Sequence, residues 1–320
     1  MEPAQGKGEQ LKSNIRNING TQMREPRPDF IIIGAMKCGT STLHEQIALQ
    51  SGTHLSEPKE PNFFSDDAEY QRGWKWYEQL FTGAQDGDLR GESSTHYTKL
   101  PTYPETIDRI SQHLPSPLKL IYVMRHPVDR LVSHYVHDWT EQKVSTPIDE
   151  AIDSHLDLIN YSKYAMQLAP FVKQFGSQNI LPVFFERMIS RKQEELERVC
   201  QFLGYAKKPT WDDGLAAQNQ SSERMQMTLL SSFLLNFPGM RTFRNAFIPK
   251  SFRERIKGRW QMKDKPKLSA DSEAKLVEIF DTDLRDLSSM LGVELNCKNF
   301  KEVARGQQAI AMHDSVSQSI

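Results

Sequence analysis

Residues 34 to 41, Gly-Ala-Met-Lys-Cys-Gly-Thr-Ser, bring two glycines, a lysine and two hydroxyls into one short stretch. That combination suits a phosphate-like anion. Backbone N–H groups at the start of a helix point outward, and the helix dipole favours negative charge there. Lys37 adds a mobile point charge, and Thr40 and Ser41 add hydroxyl donors where the helix begins. The spacing G-x-x-x-x-G is that of a nucleotide-triphosphate loop, but Thr40 stands where such a loop carries its lysine. With Lys37 inside the loop, the charge approaches the anion from another side, and the motif places no hydroxyl for Mg²⁺. A second junction has the same character. The run Leu118–Met124 ends in Arg125-His126-Pro127, which puts an arginine at the carboxyl end of a strand and before a helix. A third basic stretch, Lys250 to Lys267, holds eight basic residues against two acidic, a local +6 that leaves −7 for the remainder. A solvated basic face is the plain alternative there. Within it, Lys257-Gly258-Arg259 places a glycine where the chain could close on an anion.

The elements that must position these residues follow from hydrophobic patterning. Asp29–Ile33 is apolar and β-branched without polar alternation, the mark of a strand buried on both faces of a parallel sheet. Leu43 and Ile47 are the inward positions of the helix that follows. Gly52–Ser56 reads as a brief extended stretch. Glu57–Phe64, EPKEPNFF, reads as a loop, because its two prolines exclude a helix. Trp74, Trp76, Tyr77, Leu80 and Phe81 form an aromatic face at helical spacing, assigned to the core. Leu89–Thr98 reads as a strand end running into a polar turn, and Leu118–Met124 as a buried strand. Pro127 suits the first position of the next helix, whose stripe is Val128, Leu131, Val132, Tyr135, Val136 and Trp139, with Ser133 and His134 off it. A helix over 161–175 turns Tyr164, Leu168, Phe171 and Phe175 inward. In the strand Ile180–Phe185, Pro182 limits pairing at one end. Leu196, Val199, Cys200 and Leu203 mark a helix closed by Gly204, and Val277, Phe280, Leu284, Leu287 and Leu291 mark a last one ending at Gly292. Residues 205–249 read as helical segments and loops. Residues 1–28 read as a disordered N-terminal arm, 29–300 as one domain and 301–320 as a flexible C-terminal tail.

Composition narrows the function classes. The chain has 320 residues, 38% of them hydrophobic, enough to bury the core of a large α/β domain. A net charge of −1 supplies no global field for nucleic acid or an anionic membrane, so any anion site is local. Cys38, Cys200 and Cys297 are scattered and odd in number, which suits a reducing compartment and signals no metal site. No apolar run approaches a membrane span and no signal-like segment opens the chain, so a soluble, cytoplasmic protein is expected.

Taken in order, GAMKCGTST, YVMRHPVDRLVSHY and IKGRW resemble the sulfotransferase superfamily, and EPKEPNFF is most similar to the branch that includes heparan sulfate sulfotransferases and their bacterial relatives. The resemblance runs from about Asp29 to Gly292. It implies a P-loop NTPase-like, three-layer α/β fold with a central, mainly parallel sheet flanked by helices. It also implies transfer of a sulfuryl group from 3′-phosphoadenosine 5′-phosphosulfate (PAPS) to a hydroxyl or amine of a carbohydrate or small metabolite. The product would be 3′-phosphoadenosine 5′-phosphate (PAP), and no metal takes part. On that basis Lys37, Cys38, Gly39, Thr40 and Ser41 bind the 5′-phosphosulfate, and Arg125 with Ser133 grips the 3′-phosphate. Lys257, Gly258 and Arg259 close over the same phosphate, and Tyr164 borders the nucleotide. Glu60 falls where the heparan-type branch carries its catalytic glutamate, so it would take the acceptor proton, with its pKa expected to be raised by a partly closed pocket, while Lys37 stabilises the departing oxygen. His96 is the rival base, and Glu92 stands behind it. The heparan-type enzymes commonly have a lysine where this chain has Ser93, and they carry a membrane anchor and often a late disulfide not visible here. Two competing readings are a P-loop kinase or NTPase, which needs Mg²⁺ and triphosphate contacts, and a non-catalytic nucleotide-binding protein.

Overall fold

A computed structural model describes residues 15–18, 21–114, 117–215 and 266–313. Two short strands, β1 (Ile15–Ile18) and β2 (Thr21–Arg24), pair antiparallel. The main sheet comprises β3 (Phe30–Gly34), β4 (Thr53–Leu55), β5 (Leu89–Ser93), β6 (Lys119–Met124) and β7 (Ile180–Phe184), in the spatial order β4-β5-β3-β6-β7. Every neighbouring pair is parallel. Parallel neighbours need long crossovers, and helices supply them. These are α1 (Thr40–Ala48), α2 (Asp67–Tyr70), α3 (Trp74–Gln79), α4 (Thr106–His113), α5 (Pro127–Thr140), α6 (Ile148–Ser154), α7 (Leu156–Asn160) and α8 (Tyr164–Phe175). After β7 come α9 (Phe185–Ser190), α10 (Lys192–Leu203), α11 (Ala270–Leu291) and α12 (Phe300–Arg305). The architecture is the expected α/β one, with an all-parallel sheet flanked by helices. All five residues of β3 are buried. Because β3 lies between β5 and β6, the loops leaving the carboxyl ends of these three strands gather at one place, where open α/β sheets hold their ligands. Among the described residues no helix is long and apolar enough to cross a membrane.

Two expectations for the elements differ from what the fold shows. Pro182 does not limit pairing, since Ile180–Phe184 stays in register with Leu120–Met124 throughout. β7 is an edge strand, so the missing N–H can face away from the sheet, and Arg198 donates to the Pro182 carbonyl at 2.8 Å. On α5, Val128, Leu131, Val132 and Tyr135 are buried as the stripe requires, but Val136 and Trp139 are only partly so. The helix buries instead a second, polar row, Arg130, His134 and Asp138, in which His134 Nε2 lies 3.1 Å from Asp138 and its ring stacks on Tyr161. A helix sandwiched between neighbours has two covered faces, and one may be polar if its groups pair.

The chain ends differ as well. Residues 301 to 313, expected as a loose tail, pack: Phe300 and Ala304 are buried, Arg187 donates to the Gly306 and Gln307 carbonyls, and the His313 amide donates to Met290 at 2.8 Å. Apolar anchors and arginines that take up backbone carbonyls hold a segment whose own sequence is polar. In the arm, Pro28 is buried and Arg90 donates to the Glu25 carbonyl at 2.7 Å, so order begins before Asp29; residues 1–14 lie outside the described residues. Within 205–249, Gln46 of α1 and Gln50 just beyond it exchange paired hydrogen bonds with the backbone of Asp212 and Thr210 respectively. Residues 216–249 lie outside the described residues.

Candidate active site

The glycine loop leaves β3 at Gly34 and enters α1 at Thr40. A Cβ on Gly34 would stand 1.9 Å from Thr98 Oγ1, whose hydroxyl donates to the Ile33 carbonyl at 2.8 Å. One on Gly39 would stand 2.7 Å from Met188 and 2.8 Å from Phe185, and Gly39 has φ of 86°, in the left-handed region. Both glycines are therefore demanded by close approach. α1 has no side-chain cap, so the amides of its first turn are left without partners inside the helix. From behind, the loop is pinned by Arg130, a guanidinium with no exposed surface. It donates to the Met36 carbonyl at 3.1 Å, the Leu158 carbonyl at 3.2 Å and Ser162 Oγ at 2.9 Å. Cys38 and Tyr164 lie in this supporting layer rather than at the surface. The Cys38 thiol is fully buried 3.7 Å from the Tyr164 hydroxyl, and burial pushes its pKa up to about 11. Tyr164 is also fully buried, and its hydroxyl donates to the Arg125 carbonyl at 2.5 Å and accepts from the Arg125 amide at 3.2 Å.

In front of the loop is a cavity of about 820 Å³. Lys37, Gly39, Thr40, Ser41, Arg125 and Ser133 line one side. The Arg125 guanidinium lies over the Phe185 ring, 4.9 Å from its centroid, and donates to the Lys37 carbonyl at 3.4 Å. Ser133 stands on α5, eight residues beyond Arg125. Glu60, Thr95, His96 and Lys99 line the same cavity. Glu60 Oε1 accepts from Lys59 Nζ at 2.7 Å and Oε2 from Thr95 Oγ1 at 2.9 Å. Lys59 Nζ also donates to Ser41 Oγ at 3.0 Å, so one ammonium joins the glycine loop to the carboxylate. Burial acts to raise the Glu60 pKa, but Lys59, the Thr95 hydroxyl and Lys99 outweigh it and leave the carboxyl below its ordinary value. His96 stacks on Tyr103 with centroids 4.9 Å apart, and burial, aided by Lys99, lowers its pKa to about 4. Burial also lowers Lys99 to about 8, with Glu60 opposing.

The family model for the sulfotransferase domain matches residues 27–288. The chain belongs to the sulfotransferase domain family. Mouse heparan sulfate glucosamine 3-O-sulfotransferase 3A1 is 30% identical over 186 residues, 55% of this chain and 46% of that protein. Human heparan sulfate glucosamine 3-O-sulfotransferase 3B1 is 32% identical over 187 residues, again 55% of this chain and 46% of that protein. The chain thus spans about half the length of these curated relatives. In fold, the crystal structure of a sulfotransferase from Alicyclobacillus acidocaldarius matches with a TM-score of 0.59 at 21% identity, over 84% of this chain and 97% of that one.

Of the residues singled out in this sulfotransferase domain from sequence, Lys37, Gly39, Thr40, Ser41, Glu60, His96, Arg125 and Ser133 share one cavity. Cys38 and Tyr164 lie beneath it, and Lys257, Gly258 and Arg259 lie outside the described residues. Glu92 has no exposed surface and accepts hydrogen bonds from three hydroxyls, which removes it from contact with an acceptor. Lys59, Thr95, Lys99 and Arg130 went unread. Lys59 had a signal, since it directly precedes Glu60 in EPKE; Arg130 had none, because it falls between apolar positions of an amphipathic helix. At Ser93 the sulfotransferase domain places a buried hydroxyl 2.7 Å from His44 Nδ1.

Proposed function

We propose that this chain transfers a sulfuryl group from PAPS to an acceptor hydroxyl or amine, with a carbohydrate hydroxyl as the first class to consider. The relatives named above are, by name, glucosamine 3-O-sulfotransferases. The observation that carries the reading is that the Lys37 loop and the Glu60 carboxylate line one cavity, with Lys59 hydrogen-bonded to both Ser41 and Glu60. The phosphosulfate lies against the first-turn amides of α1 and Lys37, and the 3′-phosphate against Arg125 and Ser133. The acceptor oxygen or nitrogen attacks sulfur in line and gives its proton to Glu60. The new bond to sulfur forms as the bond from sulfur to the bridging oxygen breaks, and PAP leaves carrying the electron pair. Charge grows on that bridging oxygen, which Lys37 would stabilise, so positioning and preorganised charge carry the catalysis. A Glu60 held below its ordinary pKa is ionised at neutral pH, the state a base requires. His96, with its pKa near 4, is also unprotonated at neutral pH and is the alternative base.

Calorimetric binding of PAP in EDTA, followed by transfer of label from PAPS to a panel of saccharide and small-molecule acceptors, tests the reading. Tight, metal-independent PAP binding with turnover of an acceptor is expected. ATP turnover dependent on Mg²⁺ would instead support the kinase reading, and PAP binding without turnover of any acceptor the non-catalytic one.

A further inference from the structure

Behind the Glu60 loop lies a polar cluster that the proposed chemistry leaves unused. Glu92, near the end of β5, accepts from the Tyr77 and Tyr97 hydroxyls on Oε1, each at 2.9 Å, and from Ser94 Oγ on Oε2 at 3.0 Å. Two of these hydroxyls in turn face the loop. The Asn62 amide donates to Ser94 Oγ at 3.1 Å, and the Phe64 amide to the Tyr97 hydroxyl at 3.4 Å. Tyr77 stacks on Phe63, centroids 4.8 Å apart, and meets the edge of Phe64 at 5.0 Å. The loop so gripped holds two non-glycine residues in the left-handed region, Glu60 with φ of 58° and Asn62 with φ of 50°. Such conformations persist only where the surroundings enforce them. Thr95, next to Ser94 on the same turn, donates directly to Glu60.

We propose that Glu92 is the positioning residue of the acceptor side, orienting the Ser94 and Tyr97 hydroxyls so that they accept from Asn62 and Phe64 and hold the loop that aims Glu60 into the cavity. The inference deepens the proposed function and rests on Glu60 as the base. A hydroxyl has one proton to give. Above about pH 7, where Glu92 is ionised, its carboxylate accepts that hydrogen bond, the hydroxyl lone pairs turn to the amides, and the three-member chain gains rigidity from mutual polarisation. A Gln at position 92 offers one acceptor and one donor, so at least one hydroxyl must reverse or lose its partner.

The test compares wild type, Glu60→Gln, Glu92→Gln and Ser94→Ala by amide hydrogen exchange, PAP calorimetry and transfer of label from PAPS to desulfated heparosan-type oligosaccharides. For Glu92→Gln the expected result is a rise of about tenfold or more in exchange at Asn62 and Phe64, with the α1 first-turn amides and the PAP Kd unchanged within twofold. Its kcat should fall about tenfold or more without a change in KM for PAPS. Unchanged exchange at the two loop amides, or a rise spread evenly over the domain, overturns the proposal and leaves Glu92 a packing residue. If Glu92→Gln does not fold, Ser94→Ala carries the test through the Asn62 amide alone. Failure of the base reading looks different: Glu60→Gln then keeps its turnover, whatever Glu92→Gln does to the loop. Full turnover in Glu92→Gln beside an inactive Glu60→Gln sinks the positioning role and leaves Glu60 as base.

Discussion

The two loops that line the cavity, one carrying Lys37 and the other Glu60, are held by opposite means. The Lys37 loop is made largely from its own stretch of chain: a strand end, two glycines that nothing larger could replace, and the first turn of α1. The Glu60 loop takes its shape from elsewhere, with left-handed residues that are not glycine and the Ser94 and Tyr97 hydroxyls of the turn after β5 accepting from its backbone amides. The contrast suits the tasks proposed for the two loops. An anion can be cradled by backbone amides wherever a strand, a loop and a helix follow one another. A carboxylate that must take a proton has to be aimed, and aiming requires contacts fixed from outside the loop.

The sharpest way to break this comparison is at Glu60 itself. Glu60→Gln is expected to lower kcat about 10²- to 10⁴-fold, the usual range for a general base, with PAP affinity kept within twofold in a binding assay. Loss of PAP affinity in that variant would merge the two loops into one site. Next comes the buried partner. Burial raises Glu92 from its ordinary 4.5 to about 7 in the folded chain, so its contribution to stability is complete below pH 4.5 and is lost as pH rises through about 7. Glu92→Gln cannot ionise, so its stability relative to wild type should improve between pH 5 and 8, by roughly 3 kcal/mol. Denaturant melts across that window check the sign. On the donor side, Arg125→Ala should weaken PAP by about 10- to 100-fold, the worth of a charge-assisted hydrogen bond, and leave the counterpart lacking the 3′-phosphate unaffected. Equal losses for both nucleotides would remove Arg125 from the 3′-phosphate. The smallest effect is expected at the bridge. Lys59→Ala removes the cation that most depresses the Glu60 pKa, so the acid limb of the kcat profile should move to higher pH while its alkaline plateau changes less.

Much of the donor side was legible because its chemistry is written in adjacent residues. Gly34, Lys37, Gly39 and Thr40 are read as one motif, and Arg125 and Ser133 sit on a strand end and a helix whose apolar pattern is plain. The sequence reading puts Tyr164 and Cys38 against the nucleotide, whereas the structure buries both under the loop, since sequence does not separate a residue that touches a ligand from one that supports the residue touching it. Glu60 was found from the segment that contains it. Its partners Lys59, Thr95 and Lys99 were not, and neither was the inward polar row of α5, because polar residues in an amphipathic helix read as solvent-facing until a neighbouring helix covers them.

What the sequence by itself determined is the parallel sheet, the glycine-loop junction after β3 and the arginine-bearing junction after β6, all of which rest on local periodicity and on glycine and proline geometry. What only the tertiary structure decided is where Glu60 points, that Glu92 stands buried behind it, and that Lys59 joins the two loops. Those facts depend on contacts between residues 15 to 35 positions apart, such as Tyr77 with Glu92 and Glu60 with Thr95. No local pattern encodes such pairs, since they form only when β5 has taken its place beside β3.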